Sequence, residues 1–486
     1  MRLTVMLFVL FLATGNIMEA QWSPQTIPGD VSMILSVSFA DTVKGLAGGY
    51  RMDFTARALR TSDGGRHWLS AQVPDTTRVL VSIVWVDSVT AYAAGAVNVP
   101  ARKSGRPGWG NMPMAIGYGR YLRSIGFDGT GSYRGYFLRT TDAGGSWSAY
   151  GTLPDSVSYL IGASFVSRSI GYVTADTSPY SGKAAVLKTS DGGLTWMKLA
   201  TPDSIIALRK IEFVDSLKGV AVGYSNKGDS LIHGVVIRTT DGGTSWSRME
   251  FPLIDNFTGV SFSSASVGYI TGPARVDSGP AGIVYRTTDA GVSWHMVERL
   301  DTVLLEGIAF QKGTGTGVVF GIGTNQNLQP HILRTTDSGS TWTSESILGM
   351  PAFMDFTDGI LVSPRTGYIA GGDGLGTPLI LYGALGGSSA VGPGTPGTPA
   401  AYALRAVYPN PFNPSARISY SIPVRTHVRL EIYNVLGELV ETLANADEQA
   451  GTYRLRWDAG ARPSGLYLLR ITAGEYTQTR KLALIR

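Results

Sequence analysis

The chain contains no cysteine. This excludes disulfides, thiolate metal sites, a catalytic cysteine and a lipid-modified N-terminal cysteine, so the core must be stable without covalent cross-links. Histidine is also scarce, and His67, His233, His295, His331 and His427 lie too far apart to have metal-ligand spacing. We therefore predict no metal and no other cofactor.

Long apolar runs are missing as well. A bilayer takes about 20 apolar residues, and the longest run, 3–13, is shorter. It follows Met1-Arg2 and precedes a polar stretch that ends at Ala20, which is the order of a secretory signal peptide. We predict a signal peptide over 1–20 and no transmembrane segment in the mature chain. Because no stretch has apolar residues at helical spacing and turn residues abound, the remainder is predicted to be all-β.

Residues 1–400, which make up most of the chain, have almost no excess of positive or negative charge. Residues 401–486 hold 11 of the 41 lysines and arginines and 7 of the 36 acidic residues. Residues 1–400 are therefore nearly neutral and carry no basic stripe, which argues against a nucleic-acid partner.

One string, Arg/Lys-Thr-Ser/Thr-Asp-x-Gly-x-x-Trp, occurs six times. Its aspartate recurs as Asp63, Asp142, Asp191, Asp241, Asp289 and Asp337, and its tryptophan as Trp68, Trp147, Trp196, Trp246, Trp294 and Trp342. The aspartates are 79, 49, 50, 48 and 48 residues apart, a period that suits a four-stranded propeller blade. An aspartate accepts backbone hydrogen bonds, glycine permits positive φ, and tryptophan buries apolar surface, so each string predicts an anchored hairpin turn.

A second string opens each blade with an apolar anchor and occurs seven times, at Phe39, Trp85, Phe165, Phe213, Phe262, Phe310 and Leu361. The seventh opening has no aspartate string after it. Trp22-Ser23 matches the Trp-Ser end of such a string. We therefore predict a seven-bladed β-propeller over 21–385 whose N-terminal strand completes the last blade, which leaves no open sheet edge between the two chain ends.

The six aspartate strings resemble the Asp-box, or bacterial neuraminidase, repeat. Five match its pattern fully, and the first has His67 where serine or threonine is usual. In families that carry it, this box is a structural hairpin away from the binding site. The whole segment resembles the seven-bladed propellers of photosystem II assembly factors, a resemblance that concerns the fold and implies no photosynthetic role.

We name the four strands of a blade A to D in chain order. The A–B turns and aspartate strings then share one face, the turn face, and the B–C and D–A loops share the other, the loop face, where propellers usually bind. An insertion at 97–135 falls on the loop face with basic and aromatic candidates for contacts to an anionic or sugar ligand: Arg102, Arg106, Trp109, Arg120, Tyr121 and Arg123. A solvated flap packed on neighbouring blades is the alternative.

The D–A loops repeat an aspartate at Asp30, Asp75, Asp155, Asp203, Asp255 and Asp301. Of these, Asp75, Asp155 and Asp203 are our candidates for ligand contacts, and ordinary Asx turns are the alternative explanation.

The sequence shows no convincing catalytic set. Sialidase-like catalysis needs three arginines around a carboxylate, but the recurring arginines here open the aspartate strings, on the turn face. Xyloglucan-cleaving endoglucanases place paired carboxylates in a cleft between two propellers, whereas this chain is predicted to contain a single propeller. We therefore predict a non-catalytic propeller that binds an extracellular protein or glycan. The rival hypothesis is a secreted glycoside hydrolase, sialidase-like or endoglucanase-like, that uses two of the rim carboxylates.

A Gly/Pro-rich linker at 386–402 precedes a small domain at 403–486. Alternating segments at 416–422, 428–436, 453–457, 466–471 and 477–484 predict an antiparallel sandwich. Its stretches 408–414, 428–437, 451–457, 464–470 and 479–481 resemble the type A C-terminal sorting domain of type IX secretion cargo, whose fold is like the immunoglobulin-like module of the hook-capping protein. The resemblance implies export through that machinery, and release or display at the surface of a Gram-negative bacterium. An accessory sandwich in a periplasmic protein is the alternative.

Overall fold

The computed structural model describes residues 21–99, 132–177, 183–226, 232–276, 279–324, 328–347, 354–373, 376–385, 402–404, 407, 412–449, 451–474 and 476–485. The predicted signal peptide, nearly all of the 97–135 insertion and nearly all of the linker lie outside these residues. Regular structure within them consists of β-strands. In this part of the chain no helix is long and apolar enough to span a bilayer.

Six antiparallel sheets of four strands follow one another along the chain, each with its strands in sequence order. The first three are β2 (Met33–Phe39), β3 (Gly45–Tyr50), β4 (Ala56–Thr61) and β5 (Leu69–Ala71); β6 (Thr77–Trp85), β7 (Ala91–Val99), β8 (Ser132–Thr140) and β9 (Ser148–Ala149); and β10 (Tyr159–Phe165), β11 (Gly171–Asp176), β12 (Ala184–Thr189) and β13 (Met197–Leu199). The next three are β14 (Ile205–Phe213), β15 (Gly219–Ser225), β16 (His233–Thr239) and β17 (Ser247–Phe251); β18 (Gly259–Phe262), β19 (Gly268–Val276), β20 (Gly279–Thr287) and β21 (His295–Asp301); and β22 (Val303–Phe310), β23 (Gly317–Gly323), β24 (Pro330–Thr335) and β25 (Thr343–Ser344).

The seventh sheet joins the two ends of this segment. It contains β27 (Asp355–Ser363), β28 (Thr366–Gly372), β29 (Pro378–Ala384), β1 (Gln21–Pro24) and β26 (Ser346–Ile347). Strand β1 pairs antiparallel with β29, with Trp22 opposite Gly383, and parallel with β26 on its other side. The prediction that the N-terminal strand completes the last blade is therefore confirmed.

The seven sheets form a ring. Each first strand contacts the first strand of the next sheet, in the order β2, β6, β10, β14, β18, β22 and β27, and β27 contacts β2 again. Such a closed ring of radial sheets, six of four strands and one of five, is a β-propeller. The predicted all-β, seven-bladed fold is confirmed.

Hydrogen bonds between neighbouring first strands also run round this ring. In every blade a side-chain oxygen accepts a bond from a backbone N–H of the next blade's first strand, at 2.8–3.3 Å. We call these acceptors the inner ring: Ser36, Ser82, Ser164, Glu212, Ser261, Glu306 and Asp358. The last bond, from the N–H of Val37 to Asp358 Oδ2, joins blade seven to blade one.

The apolar core lies between neighbouring blades. In blade four the anchor Phe213 stacks on Tyr172 of blade three, with ring centroids 3.4 Å apart, and meets the edge of Trp246 of its own blade. Tyr269 and Phe310 repeat this stacking between blades five and six. These rings are buried together with aliphatic side chains of both blades, such as Val186 and Ile211, so apolar burial holds adjacent blades together.

The C-terminal part is a sandwich of two antiparallel sheets. One contains β30 (Ala403–Leu404), β31 (Ser415–Ile422) and β34 (Gly451–Asp458), and the other has the order β33 (Leu439–Glu448), β32 (Thr426–Asn434), β35 (Gly465–Ala473) and β36 (Tyr476–Leu484). Trp457 from the first sheet and Leu430 and Leu469 from the second are fully buried between them.

Strand β33 was not among the predicted segments. Its core-facing residues Val440, Leu443 and Ala444 do not alternate with polar ones. The reason is that its pairing with β32 shifts register twice, and each shift breaks the period of two on which strand prediction depends.

Trp22 is fully buried in blade seven. We expect Trp22→Ala to lower the free energy of unfolding by about 3–5 kcal/mol, because it leaves a cavity where the ring closes. Leu69→Ala, at a side chain that is 56% exposed, is the control, with a change within about 0.5 kcal/mol. Urea denaturation checks both. Equal shifts in the two variants would contradict a closing role for Trp22.

Candidate functional site

The six aspartate strings form nearly identical hydrogen-bonded turns, here called aspartate turns. In blade four Asp241 Oδ1 accepts from the Thr239 hydroxyl at 2.8 Å and from the N–H of Ser245 at 2.9 Å, and Oδ2 accepts from the Ser245 hydroxyl at 2.6 Å. Gly243 has φ 86° and donates its N–H to Thr239 Oγ1. In blade one His67 replaces the serine, and its Nδ1 lies 2.6 Å from Asp63 Oδ2.

These hydrogen bonds stabilise the charged carboxylates. The Ser245 hydroxyl and N–H lower the pKa of Asp241 to about 2, and the Thr195 and Thr341 hydroxyls do the same for the pKa of Asp191 and Asp337. A carboxylate held in this way is occupied by its own turn. It has little capacity left for a ligand.

Each aspartate turn lies on the same face as the A–B turn of its blade, since the N–H of Gly242 donates to the carbonyl of Leu217 at 2.8 Å. Four of the turns also bind the preceding blade through a tyrosine hydroxyl. Tyr92, Tyr172, Tyr269 and Tyr368 donate to carbonyls of the following blade's aspartate turn. On the turn face, hydrogen bonds therefore connect neighbouring blades.

On the loop face, several D–A aspartates form ion pairs with arginines. Arg57 Nε lies 2.8 Å from Asp30, Arg134 lies 3.2 Å from Asp155, Arg275 lies 2.8 Å from Asp255 and Arg299 lies 2.8 Å from Asp301. Asp75 and Asp203 are exposed. The backbone carbonyl of Asp203, rather than its carboxylate, accepts a hydrogen bond from Arg248.

The basic and aromatic candidates of the insertion, Arg102, Arg106, Trp109, Arg120, Tyr121 and Arg123, lie outside the described residues. Arg134, at the base of the insertion on β8, is half-exposed where it pairs with Asp155. Within the described residues there is no group of three or more histidines, aspartates and glutamates that could hold a metal ion.

The channel contains charged side chains that sequence reasoning missed. Lys210 Nζ of blade four lies 2.9 Å from Asp358 Oδ1 of blade seven, so this ion pair spans the channel. Lys312 Nζ lies 3.4 Å from Glu212 Oε1. Burial raises the pKa of Glu212, while Lys312 opposes the shift. One pattern in the sequence could have indicated these channel residues. Each of the seven inner-ring residues is a polar residue that lies one to four positions before its blade anchor.

Two further buried carboxylates have raised pKa values. Burial, reinforced by the negative charge of Asp355, raises the pKa of Glu306 well above its ordinary value. Burial also raises the pKa of Asp176, at the loop-face end of β11, to about 6, although Arg209 counteracts it. Asp176 Oδ1 has no hydrogen-bond partner among the described residues.

Comparison with known proteins identifies the C-terminal sandwich. Residues 406–485 match the family model described as secretion system C-terminal sorting domain. A comparison with curated protein sequences gave no match.

Three solved structures resemble the chain in shape. One titled YCF48 bound to D1 peptide is 17% identical and covers 75% of this chain and 97% of its own, with a TM-score of 0.49. YCF48 from Cyanidioschyzon merolae is 14% identical, covers 75% and 99%, and has a TM-score of 0.49. PorZ, a surface component of the type IX secretion system of Porphyromonas gingivalis, is 13% identical, covers 94% and 60%, and has a TM-score of 0.44. At these identities the likeness concerns the course of the backbone and conveys no activity.

The fold and the sorting domain together define a class, that of exported β-propeller proteins. This chain is a seven-bladed β-propeller protein with a C-terminal sorting domain of the type IX secretion system. It is secreted to, or displayed at, the outer surface of a Gram-negative bacterium.

The lowered pKa of Asp241 predicts how its turn responds to acid. Because the folded-state pKa is about 2 and the ordinary value is 3.8, the charged carboxylate stabilises the fold above about pH 4, and this contribution is lost as the pH falls through 2. Asp241→Asn should therefore differ most from wild type near neutral pH and converge with it towards pH 2. Urea midpoints at several pH values measure the gap. Asp75→Asn is the control, and a gap for Asp241→Asn that does not change with pH would refute the interpretation.

Removing one partner of the cross-channel ion pair should lower the free energy of unfolding more than removing the other. Asp358 accepts from Ser36, Val37 and Lys210, so Asp358→Ala leaves several donors without a partner and should cost about 2–4 kcal/mol. Lys210→Met should cost less, because Asp358 keeps its two donors from blade one. Denaturant unfolding measures both, with Asp75→Ala as the control. A larger loss for Lys210→Met would be inconsistent with this account.

Proposed function

We propose that this protein is a non-catalytic recognition module whose propeller binds an extracellular protein or glycan through its loop face. The observation that carries the proposal is the pairing of the loop-face carboxylates with arginines. Asp30, Asp155, Asp255 and Asp301 each lie within 3.2 Å of an arginine nitrogen.

This pairing argues against glycoside hydrolysis. A glycosidase needs two carboxyl groups that face one glycosidic bond, one of them protonated as the general acid. An arginine partner occupies oxygens of a carboxylate and leaves fewer of them for a substrate, and Arg275 opposes the rise that burial causes in the pKa of Asp255. Asp75 and Asp203, which are exposed like Asp155 and Asp301, belong to the loops before blades two and four and are separated by blades two and three.

Recognition, in contrast, requires a surface with directional contacts. Loops held by a rigid scaffold are where propellers vary, and the Arg134–Asp155 ion pair connects the base of the insertion with a D–A loop. The insertion adds arginines and aromatic residues, which stack on sugar rings and form bidentate bonds with carboxylates. These chemistries suit a partner that carries acidic groups or sugars.

We also propose the division of labour along the chain. Residues 1–20 act as a signal peptide, 21–385 form the recognition propeller, 386–402 act as a flexible linker and 403–486 form the sorting domain. The linker's Gly/Pro composition supports independent movement of the two folded parts. The sorting domain then serves export, while the propeller serves recognition outside the cell.

The proposal predicts binding without turnover. The purified protein is screened on a glycan array and with sialoside, xyloglucan and aryl-glycoside substrates. We expect retention of at least one partner class and no product above the no-enzyme rate. Replacing 97–135 with a short Gly-Ser link should weaken retention at least tenfold, because it removes the basic and aromatic contacts.

The control for this deletion is a double variant on the opposite face, Lys44→Ala with Lys218→Ala, which should bind like wild type. Product formation from any glycoside would overturn the proposal and direct attention to Asp75 and Asp203. Loss of retention in the control variant as well would mean that binding depends on overall charge rather than on the loop face.

A further inference from the structure

A cavity of about 310 Å³ lies in the channel. Residues of the first strands of six blades line it, most of them near the strand ends that lead into the A–B turns, together with Phe320 of β23 and Lys312 from an A–B turn. The cavity therefore lies towards the turn-face end, opposite the loop face. Its polar lining consists of Ser164, Lys210, Glu212, Ser261, Lys312, Thr357 and Asp358, among apolar residues. Its volume is at the lower end of the ~300–1,000 Å³ range of ligand pockets.

The acceptors in this lining are engaged. Asp358 accepts at Oδ2 from Ser36 and Val37 and at Oδ1 from Lys210. Glu212 accepts at Oε2 from the N–H of Phe262 and faces Lys312 with Oε1. All four carboxylate oxygens therefore already have a partner.

The donors in the lining have capacity left. An ammonium carries three N–H donors, and Lys210 and Lys312 each have one carboxylate partner here. Ser164 and Ser261 each accept from a backbone N–H, of Phe213 and Phe310, so their hydroxyl protons are available for donation. The described lining thus offers an excess of donors, two of them charged.

We propose that this cavity binds the carboxylate group of a small ligand such as a sugar acid or an amino acid. A carboxylate brings acceptors and no donor, so it uses the spare donors of Lys210, Lys312, Ser164 and Ser261 without needing an acceptor in return. Charge-assisted bonds of this kind are short and about twice as strong as neutral ones. A neutral sugar hydroxyl, by comparison, brings a donor for which the engaged carboxylates leave little room.

Lys312 is the accessible member of this set. Its side chain is 68% exposed, against 32% for Lys210, so it stands where a ligand would enter. Removing it changes the cavity while leaving the cross-channel pair of Lys210 and Asp358 in place. The inference concerns the opposite end of the channel from the loop face and does not depend on the proposed function.

Isothermal titration calorimetry of the purified protein tests the proposal with matched ligands. Glucuronate is compared with glucose, and N-acetylglycine with N-acetylglycinamide. We expect the carboxylates to bind at least tenfold more tightly than their neutral counterparts, and the two acids together distinguish a sugar source from a peptide source. Equal binding of an acid and its neutral counterpart in both pairs, or no binding of either acid, would overturn the proposal.

Three variants locate the site. Lys312→Met should weaken binding of the preferred acid at least tenfold, and Lys218→Met, at another A–B turn, should leave it unchanged. Glu212→Gln should keep or strengthen binding, because it removes a like charge while its amide oxygen still accepts from Phe262. Two outcomes would contradict the proposed site. One is that Lys218→Met weakens binding as much as Lys312→Met does, and the other is that a folded Glu212→Gln protein no longer binds the acid.

Discussion

The first strand of every blade is an edge strand, and the hydrogen bonds of the inner ring solve the problem that such an edge creates. Strand A pairs only with strand B, so backbone N–H groups on its other side would remain unpaired in the channel. In each blade one such group donates to a side-chain oxygen of the preceding blade. These directional bonds connect the first strand of each blade with that of the preceding blade and supplement the apolar packing between the two blades.

The turn face depends on the same principle. Each aspartate satisfies the N–H and hydroxyl groups of its own turn, and the Thr239-type threonine satisfies the glycine N–H inside it. Tyrosines from the preceding blade then bind the turn from outside. The recurring carboxylates of the turn face are therefore occupied by hydrogen bonds within their own turns.

The inner ring is also where the propeller acquires charge. Four of its members are serines, but Glu212, Glu306 and Asp358 bring carboxylates into the inner ring. Burying a carboxylate requires a counter-charge or a proton. Lys210 and Lys312 provide the first for Asp358 and Glu212, whereas burial beside Asp355 raises the pKa of Glu306. Two of the serines, Ser164 and Ser261, combine an inner-ring hydrogen bond with a proposed ligand contact.

Much of the architecture could be read from local patterns. The recurrence of the aspartate string, the seven anchors and the Trp22-Ser23 match predicted the number of blades and the strand that closes the ring. The C-terminal motifs predicted the sorting domain that residues 406–485 match. These features are repeated or contiguous in sequence, so each can be recognised from a short stretch of residues. Strand β33 was missed because its register shifts remove that evidence.

The candidate sites were less predictable. The sequence by itself determined the all-β class, the repeat, the closure and the route of export, because these follow from residue periodicity and short motifs. Only the tertiary structure decided that Lys210 meets Asp358 across the channel, 148 residues further along the chain, and that arginines pair with the rim aspartates. Such contacts depend on how a twisted sheet aims each side chain within a closed ring, and no local pattern encodes that direction.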